Sequence, residues 1–315
     1  METTAETAGL AKLIAGINSV LIGKEEAVLE TVVTLIARGH LLIEDVPGIG
    51  KTLLALALAK SIDASFRRIQ FTNDLLPSDI LGLNLYNQRE QRFEFRPGPI
   101  FSHVVLADEI NRSTPKTQSA LLEAMNERQV SIEGKTYRLE EPYLVIATEN
   151  PVEYHGTFPL PEAQLDRFLM RVQIGYPAPA DEKSILRGGD INERLGPLEP
   201  ALSMAEVTRL QERVATVHMD DELMDYIVAI ARATREDRRI KLGLSPRGSQ
   251  ALCRAAMAFA LVAGRDYCVP DDIKRLAVPV AAHRLLLDSG EYGMARVKEA
   301  ERLVADVLQR VPAPR

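Results

Sequence analysis

The stretch Glu44-Asp45-Val46-Pro47-Gly48-Ile49-Gly50-Lys51-Thr52 carries the residue types that a phosphate chain needs. Gly48 and Gly50 leave the backbone free to turn N–H groups toward an anion. A helix opening at Lys51 adds the positive end of its dipole. The lysine can reach the β and γ phosphates of a nucleotide, and the Thr52 hydroxyl can ligate Mg²⁺. Pro47, Ile49 and Leu53 complete the loop and the first helical turn. The usual pattern has a glycine where Asp45 stands, so the turn falls to Pro47-Gly48.

A second cluster is Val104-Val105-Leu106-Ala107-Asp108-Glu109, an apolar run that ends in two carboxylates. At the C-terminal end of a parallel strand such acids face ligand. Asp108 would hold Mg²⁺ beside Thr52, and Glu109 would polarise an attacking water. Ala147-Thr148-Glu149-Asn150-Pro151 brings an amide to the same edge, and an amide both donates and accepts, which suits orienting water. Two arginines stand out by their settings: Arg167 in EAQLDRF and Arg247 in Ser245-Pro246-Arg247. Alone, each is more readily a structural or solvated ion pair.

These residues need a scaffold, and the first half of the chain supplies an α/β one. Short β-rich runs at His40–Glu44, Phe66–Phe71, His103–Ala107, Tyr143–Ala147 and Leu169–Ile174 alternate with helical patterns, as in a parallel sheet covered by helices. Two hairpins interrupt the alternation, Asn84–Phe95 around NQREQ and Gln129–Leu139 around Glu133-Gly134-Lys135. Tyr176-Pro177-Ala178-Pro179-Ala180 ends this pattern. Residues 1–179 are therefore expected to form the core and 180–315 an all-helical lid. Its helices are expected near 181–188, 203–216, 220–235, 246–262, 270–287 and 294–309. The box Ser203-Met204-Ala205-Glu206 caps one, and Pro279 should kink another. Met1–Ala8 and Val311–Arg315 are expected to fray.

Composition narrows the class. The 315 residues are 46% hydrophobic and 26% charged without a long apolar run, which excludes membrane insertion and extended disorder. A net charge of −6 gives no overall pull toward nucleic acid. Cys253 and Cys268 read as reduced core residues of a cytoplasmic protein. His40, His103, His155, His218 and His283 are too scattered for a structural metal site.

Taken in order, EDVPGIGKT, ADEINRSTPKTQSALLEAMNER, ATENP, LPEAQLDRF and SPR resemble the MoxR family of AAA+ ATPases, over roughly residues 10–290. The resemblance implies a core with a central five-stranded parallel sheet, a helix-two insert and a pre-sensor hairpin, followed by the smaller helical lid. It implies ATP and Mg²⁺ as ligands, Lys51 and Thr52 as Walker A, Asp108 and Glu109 as Walker B, and Asn150 as sensor one. Arg247 takes the sensor-two position, reaching nucleotide from the lid, and Arg167 is an arginine finger aimed at the neighbouring subunit. Ile22-Gly23 resembles the family's adenine-contacting linker. The implied partners are copies of the chain in a hexameric ring, a protein client and a von Willebrand A domain protein. Glu149 and Gly248 depart from residues frequent beside the sensors.

Three functions fit this reading: a chaperone-like remodelling motor acting on a protein or metalloenzyme complex, a nucleic-acid motor, and a slow nucleotide-gated switch. The second rests on Arg89, Arg92, Arg96, Lys135 and Arg138 in the hairpins. Glu90, Glu94 and Glu133 interrupt them, so no basic stripe forms and nucleic acid is not expected.

Overall fold

The computed structural model describes residues 2–150, 157–288 and 293–314. Pro151 and His155 lie outside them. The elements run α1 (Glu2–Val20), α2 (Glu25–Ile36), β1 (Leu41–Glu44), α3 (Lys51–Ser61), β2 (Phe66–Gln70), α4 (Pro77–Leu81), β3 (Gly82–Asn87), β4 (Arg92–Pro97), β5 (Val104–Asp108), α5 (Pro115–Glu127), β6 (Gln129–Ile132), β7 (Lys135–Arg138), β8 (Leu144–Glu149), α6 (Glu162–Leu165) and β9 (Met170–Val172). Then come α7 (Pro179–Arg187), α8 (Ile191–Leu195), α9 (Met204–Arg213), α10 (Asp221–Glu236), β10 (Ile240–Leu242), α11 (Pro246–Val262), α12 (Pro270–Ala281), β11 (Leu286–Leu287) and α13 (Gly293–Arg310).

Five strands form one parallel sheet in the order β2-β5-β8-β1-β9. Its central strands read as unbroken apolar runs because helices cover both faces. Alternate residues feed two cores: Leu41, Ile43, Val104, Leu106, Leu144 and Ile146 point to one side, Leu42, Val105, Ala107, Val145 and Ala147 to the other. The first core runs without a break into Leu210, Ile227, Leu252, Leu276 and Val304 of the C-terminal helices. Just before β1, buried His40 ties the sheet to α5. Its Nδ1 accepts from Val145 N–H at 3.0 Å, which leaves Nε2–H to donate to the Met125 carbonyl at 3.0 Å. Burial lowers its pKa to about 4, so the ring is neutral.

Both expected hairpins form, β3 with β4 and β6 with β7. They lean on each other through Phe95 stacked on Tyr137, centroids 4.1 Å apart, and a 2.7 Å bond from Asn84 to Glu133. Arg92 is neutralised by Glu90 at 2.5 Å and Glu94 at 3.0 Å. The Ser203–Glu206 capping box is present at α9.

Three expectations need correction. The segment expected to fray is helical from Glu2 onward, as the first turns of α1, which buries Leu10, Leu13 and Ile17 further along. The helix expected over 270–287 stops at Ala281 and tightens into a 3₁₀ turn at Ala282–Arg284, two residues after Pro279 removes a backbone donor. The chain then pairs as β11 with β10, so the helical lid also holds a short antiparallel ladder. Among the described residues, no helix is long and apolar enough to cross a membrane.

Candidate active site

The C-terminal ends of β1, β5 and β8 open on one cavity of about 600 Å³. Its polar wall is Pro47, Gly48, Ile49, Gly50, Lys51, Thr52 and Leu53 with Asp108, Glu109 and Asn150. The loop owes its shape to its glycines. Gly48 has φ +85° and Gly50 φ +102°, both in the left-handed region. A Cβ on Gly50 would also stand 2.9 Å from the Leu21 methyl.

Lys51 opens α3, and its ammonium donates to the carbonyls of Asp45 and, at 3.2 Å, Glu149. Burial lowers its pKa; Asp45, Asp108, Glu109 and Glu149 work in the opposite direction. Asp45 has taken a structural role in place of the usual glycine. Its carboxylate accepts from Val46 N–H at 2.8 Å and from Gly175 N–H at 2.6 Å, which pins the loop to the segment following β9.

The two acids are clamped. Asp108 accepts from the Thr148 hydroxyl at 2.6 Å and from both Nε and Nη2 of Arg68, at 3.0 and 2.5 Å. Thr148 Oγ1 in turn accepts from Glu109 N–H at 2.8 Å. Glu109 sits at φ +56°, and its side chain accepts from Gln70 at 2.8 Å and Arg112 at 3.1 Å. Asn150 is buried at the end of β8. Beside it Glu149 is half-buried with its Oε1 enclosed, and desolvation, then Glu44, raise its pKa to about 8.

Opposite this polar wall lies an apolar one. Leu21 and Ile22 contribute from the α1–α2 junction, and Tyr176, Pro177, Ile185, Leu186 and Ile191 from the segment after β9. Such a surface suits a flat heterocyclic base. Ile22 lines the cavity as expected, whereas Gly23 does not. Gly23 turns at φ +71° against α7, where a Cβ would meet the Asp181 carboxylate at 2.2 Å.

Arg167 and Arg247 are brought together, but elsewhere. Both line a separate cavity of about 310 Å³ between α5, the Asp166–Leu169 turn and α11. Arg167 donates to the Leu122 carbonyl at 2.6 Å, and Arg247 donates to Asn126 at 3.0 Å and lies 3.8 Å from Asp166. Neither lines the loop cavity, whereas the resemblance has Arg247 reaching nucleotide from the lid. The lid packs α11 against α2, and this turns the start of α11 toward α5.

Arg68 and Gln70 were missed. Their signal was available, since positions i and i+2 of a strand share a face opposite buried Ile69. Tyr176, Leu186 and Ile191 had no local signal.

A phosphate loop after β1 that meets clamped acids after β5, in this sheet order and with helices to follow, defines an AAA+ ATPase. Residues 40–170 match the family described as ATPase family associated with various cellular activities (AAA), and residues 232–307 match the AAA lid domain. The chain is 48% identical to the uncharacterized protein YeaC of Bacillus subtilis over 97% of its own length and 95% of that protein's. It is 40% identical to the chaperone MoxR1 of Mycobacterium tuberculosis, covering 98% of this chain and 84% of the relative. To protein MoxR of Methylorubrum extorquens it is 32% identical, over 93% and 92%. A crystal structure from Cytophaga hutchinsonii superposes with a TM-score of 0.89 at 36% identity, covering 99% of this chain and 97% of that one. The chain belongs to the MoxR family of AAA+ ATPases.

Proposed function

We propose that this chain hydrolyses ATP with Mg²⁺ at a site completed by a second copy of itself, and that the cycle drives chaperone-like remodelling or maturation of a partner protein or metalloenzyme complex. The observation that carries the reading is the separation of the two halves of the constellation. The loop and acids occupy one cavity, and Arg167 and Arg247 another. A heterologous head-to-tail contact would bring one copy's arginines to its neighbour's loop, and repeating it closes a ring. A six-membered ring is proposed, with 1–179 as core and 180–315 as lid. A cytoplasmic setting and a von Willebrand A domain partner are carried over from the family. The name of the Mycobacterium tuberculosis relative supports the chaperone-like role.

The residues divide the work by chemistry. Backbone N–H groups of Gly48–Lys51 and the α3 dipole cradle the phosphates, and the Lys51 ammonium reaches the β and γ groups. The Thr52 hydroxyl and the Asp108 carboxylate are hard oxygen donors on one wall, a set that fits Mg²⁺. Bound Mg²⁺ neutralises phosphate charge. Thr148 holds Asp108 Oδ1 and Arg68 holds Oδ2, so the carboxylate is oriented at the cavity wall where it would hold Mg²⁺ directly or through water. Glu109 withdraws a proton from the attacking water while Asn150 orients it. Arg167 and Arg247 stabilise charge on the neighbour's transferring phosphoryl group. Ile22, Tyr176 and Leu186 hold the base.

ATPase rate per subunit against protein concentration, with Mg²⁺ saturating, tests this. Activity that climbs with concentration and collapses in Arg167→Ala is expected. A flat profile indifferent to the substitution would mean a self-contained site.

A further inference from the structure

The cavity that holds Arg167 and Arg247 contains more cationic charge than those two residues explain. Six arginines line it, namely Arg38, Arg128, Arg167, Arg247, Arg254 and Arg284, against a single carboxylate, Asp166, among the described lining residues. Three of the six are accounted for. Arg128 and Arg38 meet Glu141 at 2.8 and 3.9 Å. Arg284 is buried, paired with Asp166 at 2.8 Å and bonded to the carbonyls of Phe168 and Leu169, so it staples the Arg167 turn to the lid.

Arg254 is different. It is exposed at the cavity wall, and among the described residues it has no carboxylate within ion-pair distance and no hydrogen-bond acceptor. Although its side chain reaches solvent, the protein around it partly desolvates the guanidinium, and this, followed by the cations Arg128 and Arg247, pushes its pKa down. An exposed guanidinium beside other cations is unfavourable unless an anion arrives. Its placement on α11 is regular: Arg247, Gln250, Ala251 and Arg254 all line the cavity, at i, i+3, i+4 and i+7 of one helix face. Two turns of helix set the two arginines about 10 Å apart along the axis, a spacing that an extended polyphosphate can bridge.

We propose that Arg254 is a third arginine of the trans-acting set and contacts the polyphosphate of the nucleotide bound to the neighbouring copy. This rests on the reading that the site lies between subunits. A planar guanidinium binds phosphate oxygens through a fork, so Lys should replace Arg254 poorly.

Mixing inactive variants tests it. Glu109→Gln keeps its arginines and lacks its base; Arg254→Ala keeps its loop and acids. Each alone is expected to hydrolyse ATP slowly, Arg254→Ala at a cost on the order of 100-fold. Mixed one to one, activity should return, because roughly a quarter of head-to-tail interfaces pair intact acids with intact arginines. Arg167→Ala mixed with Glu109→Gln serves as the reference. Recovery with Arg167→Ala but not with Arg254→Ala would overturn the role of Arg254 alone. Recovery with neither would overturn the shared site itself. Arg254→Lys guards against misfolding: a folded, assembled protein with a reduced rate supports the contact, and a native rate overturns it. If Arg254→Ala regains full activity once sedimentation shows complete assembly, Arg254 only joins subunits and the proposal fails.

Discussion

The two cavities of this molecule balance charge in opposite ways. In the loop cavity the lysine of the phosphate loop and the two acids all meet partners within the chain: Asp108 has Arg68 and Thr148, Glu109 has Gln70 and Arg112, and Lys51 has two carbonyls. In the arginine cavity positive charge accumulates, and Asp166 must serve both Arg284 and Arg247. The first is built mainly of backbone and contiguous motif, the second of side chains from α5, α11, the segment before β1, the Asp166–Leu169 turn and the 3₁₀ turn after α12. A set of cations with too few internal partners repels itself and is useful when its anion comes from outside. The contrast is what a site divided between copies predicts.

The largest effect that could break this contrast is that of Arg167→Ala. It should lower kcat by about 10³–10⁵-fold and leave nucleotide affinity of the dilute subunit unchanged, as read by equilibrium fluorescence titration. Lost affinity in the dilute subunit would place Arg167 in its own site. Next comes Glu109→Gln, expected to reduce turnover by about 10²–10⁴-fold while ATP binding persists. Rapid hydrolysis by that variant would reassign the base.

Smaller effects sharpen the comparison on the loop side. Folded Glu149 holds its proton up to a pKa of about 8, against an ordinary 4.5. The folded state therefore binds more protons between those values, and stability drains away as pH rises through them. Glu149→Gln should match the native chain near pH ~5 and exceed it by about 1–3 kcal/mol near pH ~9 in urea denaturation. Asp45→Asn should cost about 1 kcal/mol by the same assay, since its charge-assisted bond from Gly175 weakens. A neutral outcome there would mean that the loop needs no tie to the segment after β9.

Legibility in the sequence followed locality. All five strands of the sheet were visible, shifted by one or two residues at their ends: the inner ones because strands covered on both faces must be apolar, and β2 at the sheet edge with only Ile69 buried. The loop was visible because its conformation depends on residues a few places apart. Arg68 was legible through strand alternation and was overlooked. Of the pair Ile22-Gly23, Ile22 lines the cavity and Gly23 does not, because a resemblance in sequence does not say which of two neighbours faces a cavity. The base-side wall had no signal, since Tyr176, Leu186 and Ile191 meet Leu21 only when α7 and α8 fold back over the loop.

The sequence by itself determined the sheet, the two hairpins, the phosphate loop and the acids at the end of β5. Backbone conformation and strand burial are set by neighbours within a few residues. Only the tertiary structure decided that Arg247 turns away from its own loop to join Arg167, that Asp166 is shared, and that Arg254 stands among cations. Those relations join positions 80 or more residues apart, and the packing of α11 against α2 and toward α5 fixes them.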